Sequence, residues 1–206
     1  MTRIDIINKL LAGRPDSRYL EIGVRDPRNC FDLVKAVAKT GVDPSPVVVG
    51  DRDIRVETSD AYFAGKPAGD MFDVVFVDGL HEARQAYRDI CNAMASLRPG
   101  GAVVVHDCLP PTEWHQRPAS QYRRGESWYG DTWRAAVAVV ARHPWWDIQV
   151  VDTDCGCAVI RRLPLRVFRQ VPAGLVGTDP FSMPYADFDR HRGAWLETVH
   201  PSGFRA

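Results

Sequence analysis

The sequence predicts an α/β fold: a doubly wound, mostly parallel sheet with its last strand antiparallel and helices on both faces. Three observations carry this. Strand-like apolar runs alternate with runs at helical spacing, which implies parallel strands covered on both sides. The stretch Tyr19-Leu20-Glu21-Ile22-Gly23-Val24-Arg25-Asp26 reads as a short buried strand that breaks at Gly23. Asp26 and Pro27 then look like a helix N-cap and first helical residue, so the unit is strand, tight turn, helix. Finally, a short acidic turn at Asp152-Thr153-Asp154 joins the last two strand-like runs, and so short a linker makes a hairpin.

Taken in order, Ile4, Ile7, Leu10 and Leu11 follow helical spacing, and Gly13 ends that helix. After the first strand, Phe31, Val34, Val37 and Ala38 define a second helix. Gly41 to Asp43 is the second strand, Ile54 to Thr58 the third, and Ser59 or Asp60 caps a short helix through Ala64. Phe72 to Val77 is the fourth strand, ending in Asp78-Gly79. Tyr87, Ile90, Cys91, Met94 and Leu97 line one helical face. Pro99-Gly100-Gly101 stops that helix before the fifth strand, Ala102 to Val105, which ends in His106-Asp107. The segment Pro110 to Gly130 is irregular, with Arg117, Arg123, Arg124 and four aromatics, and its length suits a lid or binding loop. Asp131 caps a helix carrying Trp133, Ala136, Val137, Val140 and Ala141. Strands at Ile148 to Val151 and Ala158 to Ile160 follow. The core of a single domain runs from about residue 15 to 162, and 163–206 is a tail with a helix over Tyr185 to Val199.

The 206 residues suffice for one α/β domain with a full core. The formal net charge of zero gives no argument for nucleic acid or an anionic membrane as partner. No apolar run approaches the roughly 20 residues of a transmembrane helix, and the N-terminus lacks a signal-peptide core. The five cysteines are scattered and read as buried thiols of a cytoplasmic protein, and Cys155-Gly156-Cys157 is too close for an ordinary zinc pair.

In an open α/β sheet, ligands bind off the carboxyl ends of the strands. Glu21, Asp43, Asp78 and Asp107 fall on that edge, with His81 and His106 beside them. A carboxylate at Asp43 can accept both hydroxyl hydrogens of a ribose. The first turn lacks the further glycines that a pyrophosphate requires, since Arg25 and Arg28 follow Gly23. That disfavours NAD and suits S-adenosyl-L-methionine, whose ammonium group either Glu21 or Asp78 can meet. Asp78 and Asp107 can converge on Mg²⁺ or Mn²⁺, which lowers the pKa of a bound hydroxyl. Alternatively His81 or His106 takes the proton directly. For His81, a capping or surface role competes with the catalytic one.

The ordered motifs Leu20-Glu21-Ile22-Gly23, Gly41-Val42-Asp43-Pro44, Thr58-Ser59-Asp60, Val77-Asp78-Gly79-Leu80-His81, Leu97-Arg98-Pro99-Gly100-Gly101 and His106-Asp107 resemble class I S-adenosylmethionine-dependent methyltransferases. The Asp-Gly-x-His and His-Asp motifs are similar to a small bacterial O-methyltransferase group. The resemblance spans roughly residues 19 to 160. It implies a seven-stranded sheet, with Glu21 and Gly23 on the methionine part, Asp43 on the ribose, and Ser59 and Asp60 at the adenine edge. Arg25, standing where the family has a second glycine, is placed to pair with the cofactor carboxylate. The resemblance also implies a cation held by Asp78, His106 and Asp107, although related proteins often carry an acid at the His106 position.

The reading is an O-methyltransferase of a small hydroxylated metabolite or sugar, with His81, His106 and Asp107 as catalytic candidates. Its expected partner is a small-molecule acceptor, with assembly into homo-oligomers left open. An N-methyltransferase of the same fold, an NAD-dependent oxidoreductase and a non-catalytic cofactor-binding partner are the alternatives.

Overall fold

The computed structural model describes every residue except Arg124, so that member of the loop's arginines lies outside the description. Seven strands form one sheet: β1 (Arg18–Ile22), β2 (Ala38–Val42), β3 (Ile54–Arg55), β4 (Phe72–Val77), β5 (Leu97–Val105), β6 (Trp146–Val151) and β7 (Cys157–Arg162). Their order is β3-β2-β1-β4-β5-β7-β6. The first five strands pair in parallel, and β7 runs antiparallel to both β5 and β6. The expected sheet and its reversed last strand are therefore present. The helices are α1 (Arg3–Leu11), α2 (Ser59–Gly65), α3 (Ala83–Ala95), α4 (Trp133–Arg142) and α5 (Tyr185–Trp195).

Alternation along the strands divides the core in two. Leu20, Ile22, Val75, Val77, Val103 and Val105 pack against α3, α4 and α5. Tyr19, Val74, Phe76 and Val104 pack on the other face against Ile6, Ile7, Leu10 and Leu11 of α1. Removing each such fully buried side chain from water contributes about 1.5–3 kcal/mol. This phase places the site, because Glu21, Asp78 and His106 continue the face that α1 covers. The start of α1 is fixed by a capping box, in which Thr2 accepts from the Asp5 backbone and the Asp5 side chain accepts from the Thr2 backbone. Phe188, Trp195 and Leu196 of the tail are buried in the core on the α3–α4 side. No helix among the described residues is long and apolar enough to cross a membrane.

Several expected elements differ. There is no α-helix between β1 and β2. Asp26 caps only a 3-10 turn at Pro27–Asn29, and a second such turn covers Phe31–Leu33. The apolar spacing misleads there because Val37 is 73% exposed while Phe31 and Val34 alone turn inward. Strand β2 begins at Ala38 because Ser17 holds the backbone N–H groups of Val37 and Ala38, setting the register Arg18↔Ala38. Strand β3 stops at Arg55, and Thr58, rather than Ser59 or Asp60, caps α2. Asp131 does not cap α4. Its carboxylate accepts the Ala83 N–H at the start of α3 and pairs with Arg134. Strand β5 extends back through Pro99-Gly100-Gly101 to Leu97, and the tail helix ends at Trp195.

Candidate active site

The carboxyl ends of β1, β2, β4 and β5 open into a cleft of about 1160 Å³, lined among others by Glu21, Gly23, Asp43, Ser59, Asp78, His81, His106 and Asp107. Ordinary small-ligand pockets hold roughly 300–1,000 Å³, so there is room for a cofactor and an acceptor together. Arg25 and Asp60 also line it, so the cleft collects every sequence-predicted site residue.

Gly23 makes the turn after β1 workable. Its φ is +89°, and a Cβ there would lie 2.1 Å from the Asp78 carbonyl oxygen. The turn therefore presses directly on the end of β4. Glu21, two residues back on the α1 side, is 1% exposed. The Tyr19 hydroxyl donates to its Oε2 at 2.6 Å, a strand i, i+2 pair that sequence phase alone could have revealed. Burial raises the Glu21 pKa to about 8, with the Tyr19 bond opposing.

Asp43 uses both oxygens on the backbone: Oδ2 accepts from Arg25 N–H at 2.8 Å and Oδ1 from Ser45 N–H at 2.7 Å. It thus ties the ends of two turns together, and each oxygen keeps a lone pair for a ligand. Arg25 stands at this end of the cleft with its side chain exposed. Gln85 of α3 donates to Ser59 Oγ, Asp60 Oδ1 and Asp89 Oδ1, which holds the other wall.

The acid–imidazole cluster lies between. His81 places Nδ1 3.1 Å from Asp107 Oδ2 and Nε2 3.3 Å from Asp78 Oδ1. Its ring stacks on Trp128 at 5.0 Å and 17°. Burial lowers the His81 pKa, but the hydrogen bond to Asp78 and the charges of Asp107 and Asp78 outweigh it and raise it. Asp78 is held below the usual carboxylate range: burial pushes it up, and His106 and His81 more than reverse that. His106 Nδ1 lies 3.1 Å from Asp107 Oδ1 and 3.4 Å from Asp78 Oδ1. Its Nε2 faces Arg3 Nη1 at 3.0 Å and Asp154 Oδ1 at 3.4 Å. Burial opposes charge on the ring, and the surrounding acids raise its pKa above the ordinary histidine value. A guanidinium can only donate, so the Arg3 contact needs an unprotonated Nε2. With the proton on Nδ1, the Asp107, Asp78 and Arg3 contacts each pair a donor with an acceptor, whereas Asp154 Oδ1 then faces the bare Nε2; protonation of Nε2 would pair it with Asp154 and set it against Arg3.

Arg3 and Asp154 are site residues that the sequence reading missed. They come from α1 and from the turn between β6 and β7, and no local motif links them to the strand ends. Trp128 is one of the four aromatics of the irregular segment Pro110 to Gly130. It belongs to a loop folded around Arg117, which is 5% exposed and donates to the carbonyl oxygens of Trp114 and Ser127. Trp128 Nε1 in turn donates to the Arg117 carbonyl.

Asp78, His106 and Asp107 each offer a ligand atom within 4.8 Å of the others, a spacing that fits a hard divalent cation. The two carboxylates suit it as they stand. His106 would ligate through Nδ1 only after its proton moved to Nε2, where Asp154 could accept it but Arg3 Nη1 would have to give way. All five cysteines are free, with Cys30, Cys108 and Cys157 buried.

Residues 30–108 match the family model of a methyltransferase domain. No curated protein matches the chain by sequence. Solved structures do match it in fold. A Klebsiella pneumoniae protein described as an inferred O-methyltransferase superposes with a TM-score of 0.57 at 12% identity, covering 78% of this chain and 79% of that one. A Staphylococcus aureus protein described as an inferred caffeoyl-CoA O-methyltransferase gives 0.54 at 13% identity, with coverages of 78% and 82%. S-adenosylmethionine-bound CalS10, an amino pentose methyltransferase from Micromonospora echinaspora, gives 0.51 at 15% identity, with coverages of 77% and 89%. Residues 30–108 are thus similar to a methyltransferase domain, and the chain shares its fold with solved structures described as methyltransferases.

Proposed function

We propose that the chain methylates a hydroxyl group of a small hydroxylated metabolite or sugar. The observation that carries this is the Asp107–His81–Asp78 arrangement beside the cofactor cleft. An alcohol must lose its proton as it attacks, whereas a neutral amine needs less help, so a positioned base favours oxygen over nitrogen as acceptor. S-adenosylmethionine would supply an electrophilic methyl group on a sulfonium centre. Glu21 would hold its ammonium group, Asp43 its ribose, and Ser59 and Asp60 the adenine edge. Nε2 of His81, 3.3 Å from Asp78 Oδ1, would turn from that carboxylate to take the hydroxyl proton, with Asp107 Oδ2 3.1 Å from Nδ1 on the other side of the ring. The imidazolium so formed lies between two carboxylates, which stabilise it. Trp128 fixes the ring plane by stacking and covers it, which excludes water from the transfer.

A second reading uses a divalent cation, favoured by the close spacing of Asp78, His106 and Asp107. Mg²⁺ or Mn²⁺ held there would lower the pKa of a bound hydroxyl, with no histidine base needed.

One experiment separates the readings: labelled methyl transfer to a panel of hydroxyl and amine acceptors, with and without exhaustive chelation, for the parent and His81→Gln. For the base reading, activity survives chelation, and His81→Gln lowers turnover by roughly 10²- to 10⁴-fold, with cofactor affinity little changed. Activity that dies on chelation, returns with Mg²⁺ and tolerates His81→Gln replaces the base with the cation. Absence of any S-adenosylmethionine binding up to millimolar concentration would sink both.

A further inference from the structure

The described residues of 110–130 form no α-helix or strand, only the 3-10 turns Glu113–Gln116 and Ala119–Gln121. Their backbone carbonyls therefore need partners from outside any ladder. Arg117 supplies them. Its side chain is 3% exposed, and Nη1 donates to the carbonyls of Trp114 at 2.9 Å and Ser127 at 3.1 Å. Nε reaches the Gln121 carbonyl at 3.4 Å, and Nη2 donates to Glu126 Oε2 at 2.6 Å. The guanidinium carbon lies 4.4 Å from the centre of the Trp114 ring. One forked, planar cation thus joins both limbs of the loop, a task to which the point charge of a lysine is unsuited.

The backbone of Arg117 completes the link. Its carbonyl accepts from Trp128 Nε1 at 2.7 Å, so the side chain holds Ser127 while the main chain holds Trp128. The indole packs on Tyr122 at 5.3 Å and stacks on His81 at 5.0 Å and 17°. Just beyond Trp128 the chain is fixed to the backbone of His81 as well. Asp131 N–H donates to the His81 carbonyl at 3.2 Å, and Gly130, at φ +57°, would place a Cβ 1.9 Å from that oxygen. The loop thus meets His81 twice, at its peptide and at its ring. Arg117 itself does not line the cleft of about 1160 Å³, and its charge is paired with Glu126, so it acts on His81 through the residues it holds.

We propose that Arg117 is a positioning residue for His81: by fixing Trp128 it holds the plane of the imidazole, so that Nε2 can pass from Asp78 to an acceptor hydroxyl without the ring tipping out of line. Stacking suits this role, because a ring that shifts within its own plane keeps the contact, whereas one that tips loses it. The proposal rests on the reading of His81 as the base and adds to it a residue outside the cleft. The consequence is that the loop acts as a strut behind the base as well as a cover over it.

The test reads the ring first and the reaction second. In proton NMR of the full chain, with His81→Gln to assign the signals, the face of Trp128 should displace the His81 ring protons to high field. Trp128→Leu should abolish that displacement. Arg117→Gln should remove most of it and Arg117→Lys a part, because a point charge replaces the fork. Turnover of the hydroxyl acceptor found in the panel assay should fall by roughly 10- to 100-fold in Arg117→Gln, the cost of a misplaced group, with S-adenosylhomocysteine affinity unchanged. In both readouts the double variant should be no worse than Trp128→Leu alone, since both changes remove one interaction, whereas a merely structural arginine gives additive losses. Should Arg117→Gln not fold, Arg117→Lys carries the same comparison. Ring signals undisplaced in the parent, a displacement that persists in Arg117→Gln, or additive losses each overturn the proposal. If His81→Gln leaves turnover intact while Arg117→Gln still shifts the ring signals, the base reading has failed and the hold of Arg117 on the ring stands, a distinct result.

Discussion

Replacing Glu21 by Gln tests how the cofactor end of the cleft is poised. Burial raises the Glu21 pKa from 4.5 to about 8. A folded-state pKa above the unfolded one means that ionisation disfavours the fold. Stability is therefore fully present below pH 4.5 and falls as pH rises toward and through 8. Each tenfold difference in proton affinity is worth about 1.4 kcal/mol, so the folded state loses about 3 kcal/mol between pH 4.5 and 7 and little more above pH 8. Gln keeps the shape and still accepts from the Tyr19 hydroxyl, but it never ionises. Glu21→Gln should match the parent in stability near pH 4.5 and exceed it by about 3 kcal/mol at pH 7. Urea denaturation of both proteins at half-unit pH steps reads this difference, and titrations elsewhere in the chain cancel. The gain in stability should accompany a loss of cofactor affinity, since a ligand ammonium calls for the ionised acid. Binding to the parent at pH 7 should then release close to one proton, visible as buffer-dependent calorimetric heat. Parallel stability curves for the two proteins from pH 4.5 to 8 would refute the argument.

Gly23→Ala should destabilise by several kcal/mol, because its Cβ meets the Asp78 carbonyl at 2.1 Å and its φ of +89° is strained for alanine. Denaturant midpoints measure this, and a variant as stable as the parent would show that the turn yields easily. Asp107→Asn should change stability by only about 1 kcal/mol, since Asn tolerates the left-handed φ of +59°. Its turnover should fall by roughly 10²-fold, with cofactor affinity retained, if the charge supports proton removal. Turnover within twofold of the parent would remove Asp107 from the proton path.

The strand ends were legible because two simple rules act there. Strand periodicity with β-branched runs identifies Phe72 to Val77, and the strand-end rule then singles out Asp78. The same logic reaches Glu21, Asp43 and Asp107. The error at residues 31–38 has the opposite cause. Apolar residues at helical spacing imply a helix only if that face is buried, and Val37 has nothing to cover it. A lysine supplies what the helix would have: Lys39 Nζ donates to the Phe31 carbonyl, satisfying a backbone acceptor that a longer helix would have bonded internally. Arg3 and Asp154 were illegible for a different reason. They stand 151 residues apart, and only the packing of α1 over the sheet brings the β6–β7 turn to its first residue.

Backbone strain explains why the cluster can exist at all. Along β5, Val104 and His106 face α1, while Val103 and Val105 face the other helices, so a regular strand would send Asp107 away from His106. Its left-handed φ of +59° breaks that alternation and brings its two oxygens within 3.1 Å of both imidazoles. Asp154 and Cys155, at φ +46° and +68°, do the same for the β6–β7 turn, as +43° does for Arg25 beside Asp43. Four of the six described non-glycine residues with positive φ thus lie in or against this one cleft. Each left-handed residue costs about 1–2 kcal/mol, and packing that fixes the flanking strands offsets it. Gly156 follows at φ +82°, and its carbonyl accepts from Cys108 N–H, so the strained turn is locked onto the end of β5. The carboxylates are therefore aimed by backbone geometry rather than by flexible side chains. A charge cluster held in this way can stay buried and preorganised before any ligand arrives.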